Sequence, residues 1–194
     1  MKNAFLSLVF VFASTFAMSQ TTNWNIDHAH SNVTFEVAHM VVSTVTGKFQ
    51  EFEGTIKADK EDFSDASISF TIQAASVNTN NEKRDNHLRD TDFFEVETYP
   101  TIDFKGKSLS QKSGNKYTLV GDLTMHGVTK EVALDVRYNG QIKDPWGNTR
   151  AGFKVSGSLN REDYGLTYNS ALEAGGFLIG KEVDIQINLE LIKE

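Results

Sequence analysis

The sequence predicts an all-β protein, an antiparallel eight-stranded up-and-down barrel with one short helix between strands. Apolar residues recur at every second position in stretch after stretch from Ser31 onward, the period of a strand with one dry and one wet face. Short turn-rich links, Ser113-Gly114-Asn115, His126-Gly127 and Asp144-Pro145-Trp146-Gly147-Asn148, join these stretches. Such links imply antiparallel neighbours, because parallel strands need long crossovers. A single helical signal, at residues 79–94, interrupts the pattern.

Residues 1–19 read as a secretory signal peptide. Lys2 precedes an apolar run from Ala4 to Phe12, and small residues at Ala17 and Ser19 place the cut near Ser19-Gln20. The run is short of the ~20 apolar residues of a membrane span, so no stable membrane insertion is expected. Cleavage leaves residues 20–194 as one domain, near the usual domain size and without a low-complexity linker. With no cysteine, an exported chain must draw its stability from a core. The net charge of −7 becomes one unit more negative when Lys2 leaves, which argues against nucleic acid or anionic lipid surfaces as partners.

In chain order, Val33, Phe35 and Val37 alternate with Asn32, Thr34 and Glu36 in the first clear strand. Phe49 and the set Phe52, Ile56 and Ala58 cannot share a face of an unbroken strand, so a bulge or bend is expected between them. Ile68, Phe70, Ile72 and Ala74 form the next dry face. Thr79, followed three residues later by Glu82, has capping-box spacing and predicts a helix of about three turns. Asp85 and Arg89 are spaced to pair across one of those turns. Leu88 is nearly its only apolar contact before Phe93 and Phe94, so this polar helix should lie over an opening or edge, anchored at its aromatic end. Strands resume at Ile102/Phe104, Tyr117 to Met125, Val132 to Tyr138, Phe153 to Leu159 and Val183 to Leu191. Asn139-Gly140 reads as a turn or as a bulge within one long strand.

A barrel of this size is filled by its own side chains or holds one slender ligand. Its candidate cavity lining is Phe35, Val37, Phe70, Ile72, Phe104 and Leu119, continued by Leu123, Leu134, Val136, Phe153, Val155, Ile185 and Ile187. The alternative is a solid core. Arg84, His87, Arg89 and His30 are candidates for meeting a polar headgroup at the mouth. Alternatively, the helix residues simply lock the helix to its neighbours. His28, His30, His39 and His126 raise a second reading, a metal-dependent enzyme with a zinc-like site, although no cysteine or helical ligand motif accompanies them. Nucleophilic catalysis finds no support: Ser31 follows His30 directly, so on a strand the two point to opposite faces, and no Gly-x-Ser-x-Gly elbow is present. No catalytic residue, metal ligand set or cofactor is therefore assigned.

The series Trp24-x-Ile26-Asp27, His30-Ser31, His39, Gly47-x-Phe49, Arg84-Asp85-x-His87-Leu88, Asp92-Phe93-Phe94 and Tyr99-Pro100-x-Ile102-x-Phe104 resembles the YceI-like family. It continues in Gly121-x-Leu123-Thr124-x-His126-Gly127-Val128-Thr129, Asp144-Pro145-Trp146-Gly147 and Arg161-x-Asp163-Tyr164-Gly165-Leu166. The motifs are weak singly and specific in their order, which spans the mature chain. The resemblance implies a lipocalin-like barrel, periplasmic or secreted, holding a polyisoprenoid, an isoprenoid quinone or another long-chain lipid. It implies no enzyme activity and leaves a homodimer open.

Overall fold

The structure, a computed structural model, describes residues 21–172 and 175–194. The expected signal peptide and its cleavage point lie outside them. Among the described residues the strands are β1 (Asn23–Ile26), β2 (Asn32–His39), β3 (Ser43–Phe49), β4 (Phe52–Lys57), β5 (Ser67–Gln73), β6 (Val77–Asn78), β7 (Thr101–Ser113), β8 (Lys116–Met125), β9 (Val128–Lys143), β10 (Thr149–Asn160) and β11 (Ile179–Lys193). Helix α1 (Glu82–Arg89) lies between β6 and β7.

All strand pairs are antiparallel, and the sheet closes because β11 pairs with β10 on one side and with both β1 and β2 on the other. The pairs β1/β2, β3/β4 and β5/β6 each make one interrupted stave. With β7 to β11 they form eight staves, in which order along the chain equals order around the barrel. This is the expected up-and-down barrel.

The interruptions have local causes. Phe49 and Phe52 are both buried, and the chain bends at Gln50-Glu51 so that both face inward. The Ser76 hydroxyl accepts from the freed Gln50 and Glu51 N–H groups at 3.1 Å each. On β9 the register steps from Tyr138↔Phe153 to Gly140↔Gly152, leaving Asn139 unpaired, with Gly140 at φ +98°. Asn139-Gly140 is therefore a bulge inside one long strand. His126 and Gly127 (φ +50° and +73°) form the two-residue turn between β8 and β9.

On β8, Tyr117, Leu119, Gly121, Leu123 and Met125 are buried in strict alternation. Gly121 leaves room for the Phe104 ring, since a Cβ there would stand 2.4 Å from it. The 58–66 link lies across the end where β4, β9 and both described termini meet. Its Phe63, 1% exposed, packs on Trp24, Tyr138 and Phe153 with ring centroids 4.9, 5.7 and 4.8 Å away.

The helix departs from expectation. It has two turns rather than three, and its cap is Asn81, whose side-chain oxygen accepts from the Arg84 N–H at 3.0 Å. Thr79 does not cap with Glu82. It is buried just after β6, where its N–H and hydroxyl donate to Asp85 Oδ1 at 2.8 and 2.5 Å. Asp85 therefore does not pair with Arg89, whose guanidinium instead donates to the Ala75 and Val77 carbonyls.

Candidate functional site: an apolar interior under an aromatic lid

Two apolar cavities lie inside the barrel. The larger, about 160 Å³, sits beneath α1, whose Leu88 faces it together with Phe93 and Phe94 from the segment that follows. Phe94 meets Phe49 edge-on at 5.7 Å, and Phe93 lies 5.1 Å from Tyr168. These contacts hold the aromatic end of the helical segment over the opening. The wall beneath includes Phe35, Val37, Phe70, Ile72 and Phe104. Leu123, Leu134, Ile185 and Ile187 complete the part expected from sequence. The smaller cavity, about 60 Å³, is lined by Leu119, Val136, Phe153 and Val155 toward the Phe63 end, and Phe70 borders both cavities. The alternating residues line these two spaces and at the same time make up much of the buried core.

The upper cavity has two polar residues in its wall. Thr34 donates its hydroxyl to the Gln186 carbonyl, so it offers nothing new to a ligand. Arg161 differs. It is 5% exposed, its Nε donates to the Gly180 carbonyl at 2.8 Å and its Nη1 to the Leu166 carbonyl. Among the described residues its Nη2 is buried without a hydrogen-bond partner, and burial pushes the pKa of Arg161 below the ordinary guanidinium value. Sequence reasoning missed this residue, although the signal was present. The inward series Phe153, Val155, Gly157, Leu159, carried one step further, lands on Arg161.

None of Arg84, His87, Arg89 and His30 lines either cavity. Arg84 donates to the Thr79 hydroxyl and carbonyl at 2.7 and 2.9 Å, and with Arg89 it ties the helix to the segment leading into it. His87 reaches Asp92 at 2.8 Å and packs on Phe93 and Tyr168. His30 is far from the lid: it lies in the β1–β2 link beside Glu190, while the lid end of β11 begins at Ile179, eleven residues or roughly 35 Å of strand away. Asp85→Ala should strip the buried Thr79 N–H and hydroxyl of their acceptor and cost about 1–3 kcal/mol. Faster amide exchange confined to residues 77–94 in hydrogen-exchange mass spectrometry would be the expected signature, and unchanged protection there would refute it.

The four histidines of the metal reading are not gathered. His28 packs at a tilt against Phe52, His39 ends β2, and His126 sits in the β8–β9 turn with its Nδ1 at 3.1 Å from the Tyr164 carbonyl oxygen. Among the described residues, Asp27, His30 and Glu190 alone bring three potential ligand atoms within 4.8 Å of one another. Arg150 already fills that role as the cation, reaching Asp27 and Asp144 at 2.7 Å and Glu190 at 2.5 Å. Its guanidinium, followed by the His30 hydrogen bond, holds the Asp27 pKa down at about 2 and depresses that of Asp144 further.

Comparison with known proteins agrees with this architecture. A UPF0312 protein of Staphylococcus aureus is 42% identical over 170 residues, covering 87% of this chain and 96% of its own length. The Campylobacter jejuni YceI protein superposes with TM-score 0.69 at 31% identity, covering 81% of this chain and 90% of that one. Burkholderia cenocepacia BcnA shares the fold with TM-score 0.75 at 22% identity, over 86% and 99% of the two chains. A polyisoprenoid binding domain from Saccharophagus degradans does so with TM-score 0.62 at 17% identity, over 88% and 98%. The YceI-like domain model matches residues 24–191, nearly the whole span from β1 to β11, and this chain is a member of the YceI-like family.

Proposed function

We propose that this protein is an exported carrier or storage protein, periplasmic or secreted. It binds a polyisoprenoid, an isoprenoid quinone or another long-chain lipid in the barrel interior and does not alter it chemically. The observation that carries this reading is the pair of apolar spaces on either side of Phe70, between the aromatic lid and Phe63, inside a barrel whose wall has almost no polar atoms to spend on catalysis. Membership of the family and the polyisoprenoid-binding description of the Saccharophagus domain support it.

Burial supplies the affinity. At roughly 0.8 kcal/mol per CH₂, ten buried carbons contribute about 8 kcal/mol, a micromolar Kd before ordering costs. The space must grow to take them. The upper cavity of about 160 Å³ resembles an engineered cavity of about 150 Å³ that takes benzene, and lies below the roughly 300–1,000 Å³ of ordinary ligand sites. Entry of a chain therefore requires the lid residues Leu88 and Phe94 to shift and the Phe70 ring to swing aside, joining the two cavities. Organic extraction of natively purified protein, followed by mass spectrometry, should recover a stoichiometric long-chain lipid. Lipid-free protein whose crystal structure shows a filled interior would overturn the reading.

A further inference from the structure

The carrier reading leaves open where the polar end of the lipid goes, and the Arg161 site answers it. We propose that Arg161 is an internal anchor for an anionic oxygen head, a carboxylate or a phosphate monoester, so that the lipid binds with its head inside the barrel wall at Nη2. This inference rests on the carrier reading and narrows its ligand class.

Three observations converge. Among the described residues, Arg161 is the one charged residue in the wall of the upper cavity, whose other side chains are apolar apart from the satisfied Thr34. Two of its nitrogens are fixed by the Gly180 and Leu166 carbonyls, which orients the guanidinium plane and leaves Nη2 as the donor without a partner among the described residues. No carboxylate of the described residues forms an ion pair with it: the adjacent Glu162 acts on it only through space and pairs with Lys181 at 2.8 Å. A buried guanidinium remains charged, and a buried charge without a counter-charge is costly. Neutral carbonyls satisfy donors but supply no countercharge. An anionic head would do both through charge-assisted hydrogen bonds. A neutral alcohol or quinone would do only the first.

The test is a fluorescence titration of the mature protein with cis-parinaric acid and with its methyl ester. Farnesyl phosphate and farnesol then serve as competing ligands. Wild type should bind the acid on the order of 10- to 100-fold more tightly than the ester, the range expected of one charge-assisted bond. The net negative charge of the protein opposes such a preference, so it cannot arise from bulk attraction. Farnesyl phosphate outcompeting farnesol would extend the head class to phosphate; discrimination by the acid alone would confine it to carboxylates, and either supports the anchor. In Arg161→Gln the acid-to-ester ratio should fall toward one while ester binding persists, with Arg161→Lys intermediate. If circular dichroism shows that Arg161→Gln does not fold, the wild-type ratio and the lysine variant still decide. Equal affinity for acid and ester in wild type, or an unchanged ratio in a folded Arg161→Gln, overturns the anchor but leaves the carrier reading standing. Failure of every probe to bind overturns both.

Discussion

Phe63→Ala should lower the unfolding free energy by about 3–5 kcal/mol, the usual loss when a fully buried phenylalanine is truncated. Phe63 is 1% exposed and touches three other aromatic residues at the closed end of the barrel. Its backbone holds φ +57°, a left-handed conformation that a bulky residue seldom adopts. Burial of the ring against those three aromatic residues offsets the strain. The surrounding link is lashed in place, with Tyr138 and Gln141 donating to the Glu61 carbonyl and Trp24 donating to that of Ala58. Those ties keep the site from collapsing onto the void, which places the cost toward the upper end of the range. Urea unfolding would read it as a lower midpoint with an unchanged slope. A loss below about 1 kcal/mol would show that the 58–66 link does not depend on its ring, since that is the scale of a well-tolerated swap.

Arg150→Met should destabilise the protein at neutral pH, and the deficit should shrink in acid. Arg150 stands between Asp27, Asp144 and Glu190, and its loss leaves three carboxylates facing one another at the closure of β1, β10 and β11. A carboxyl whose folded pKa is depressed contributes stability above its unfolded value, near 4, and loses it as pH falls through the folded value. For Asp27 that value is about 2, so its contribution is complete at pH 7 and fades between about 4 and 2. Thermal melts at pH 7 and pH 2.5 should show a gap of several degrees between wild type and variant that narrows in acid. A gap of equal size at both values would assign the effect to lost packing of the arginine stem.

Much of the architecture was legible because a half-buried strand writes its two faces into the sequence as alternation. The bend between Phe49 and Phe52 was visible as a break in phase, and the Asn139-Gly140 bulge as turn chemistry inside a continuing strand. The helix boundary was less legible. Thr79 and Glu82 have the spacing of a cap, but burial of Thr79 against Asp85 competes with it, and Asn81 takes the role. The helix cations were harder still. Arg84 and Arg89 look from sequence like free charges near an opening, yet their partners are backbone carbonyls of the preceding segment, which local spacing does not reveal.

By itself the sequence determined the strand order, the inward residues and the aromatic segment after the helix, because these follow from side-chain period and from turns a few residues long. Only the tertiary structure decided that the space inside divides at Phe70, that His30 belongs to the Arg150 network rather than to the lid, and that Arg161 lines the cavity while its buried Nη2 has no partner among the described residues. Each of these depends on which distant groups closure brings within hydrogen-bond reach. Closure sets β11 against both β10 and the β1/β2 stave, and that pairing fixes the surroundings of a charge in a way no local pattern records.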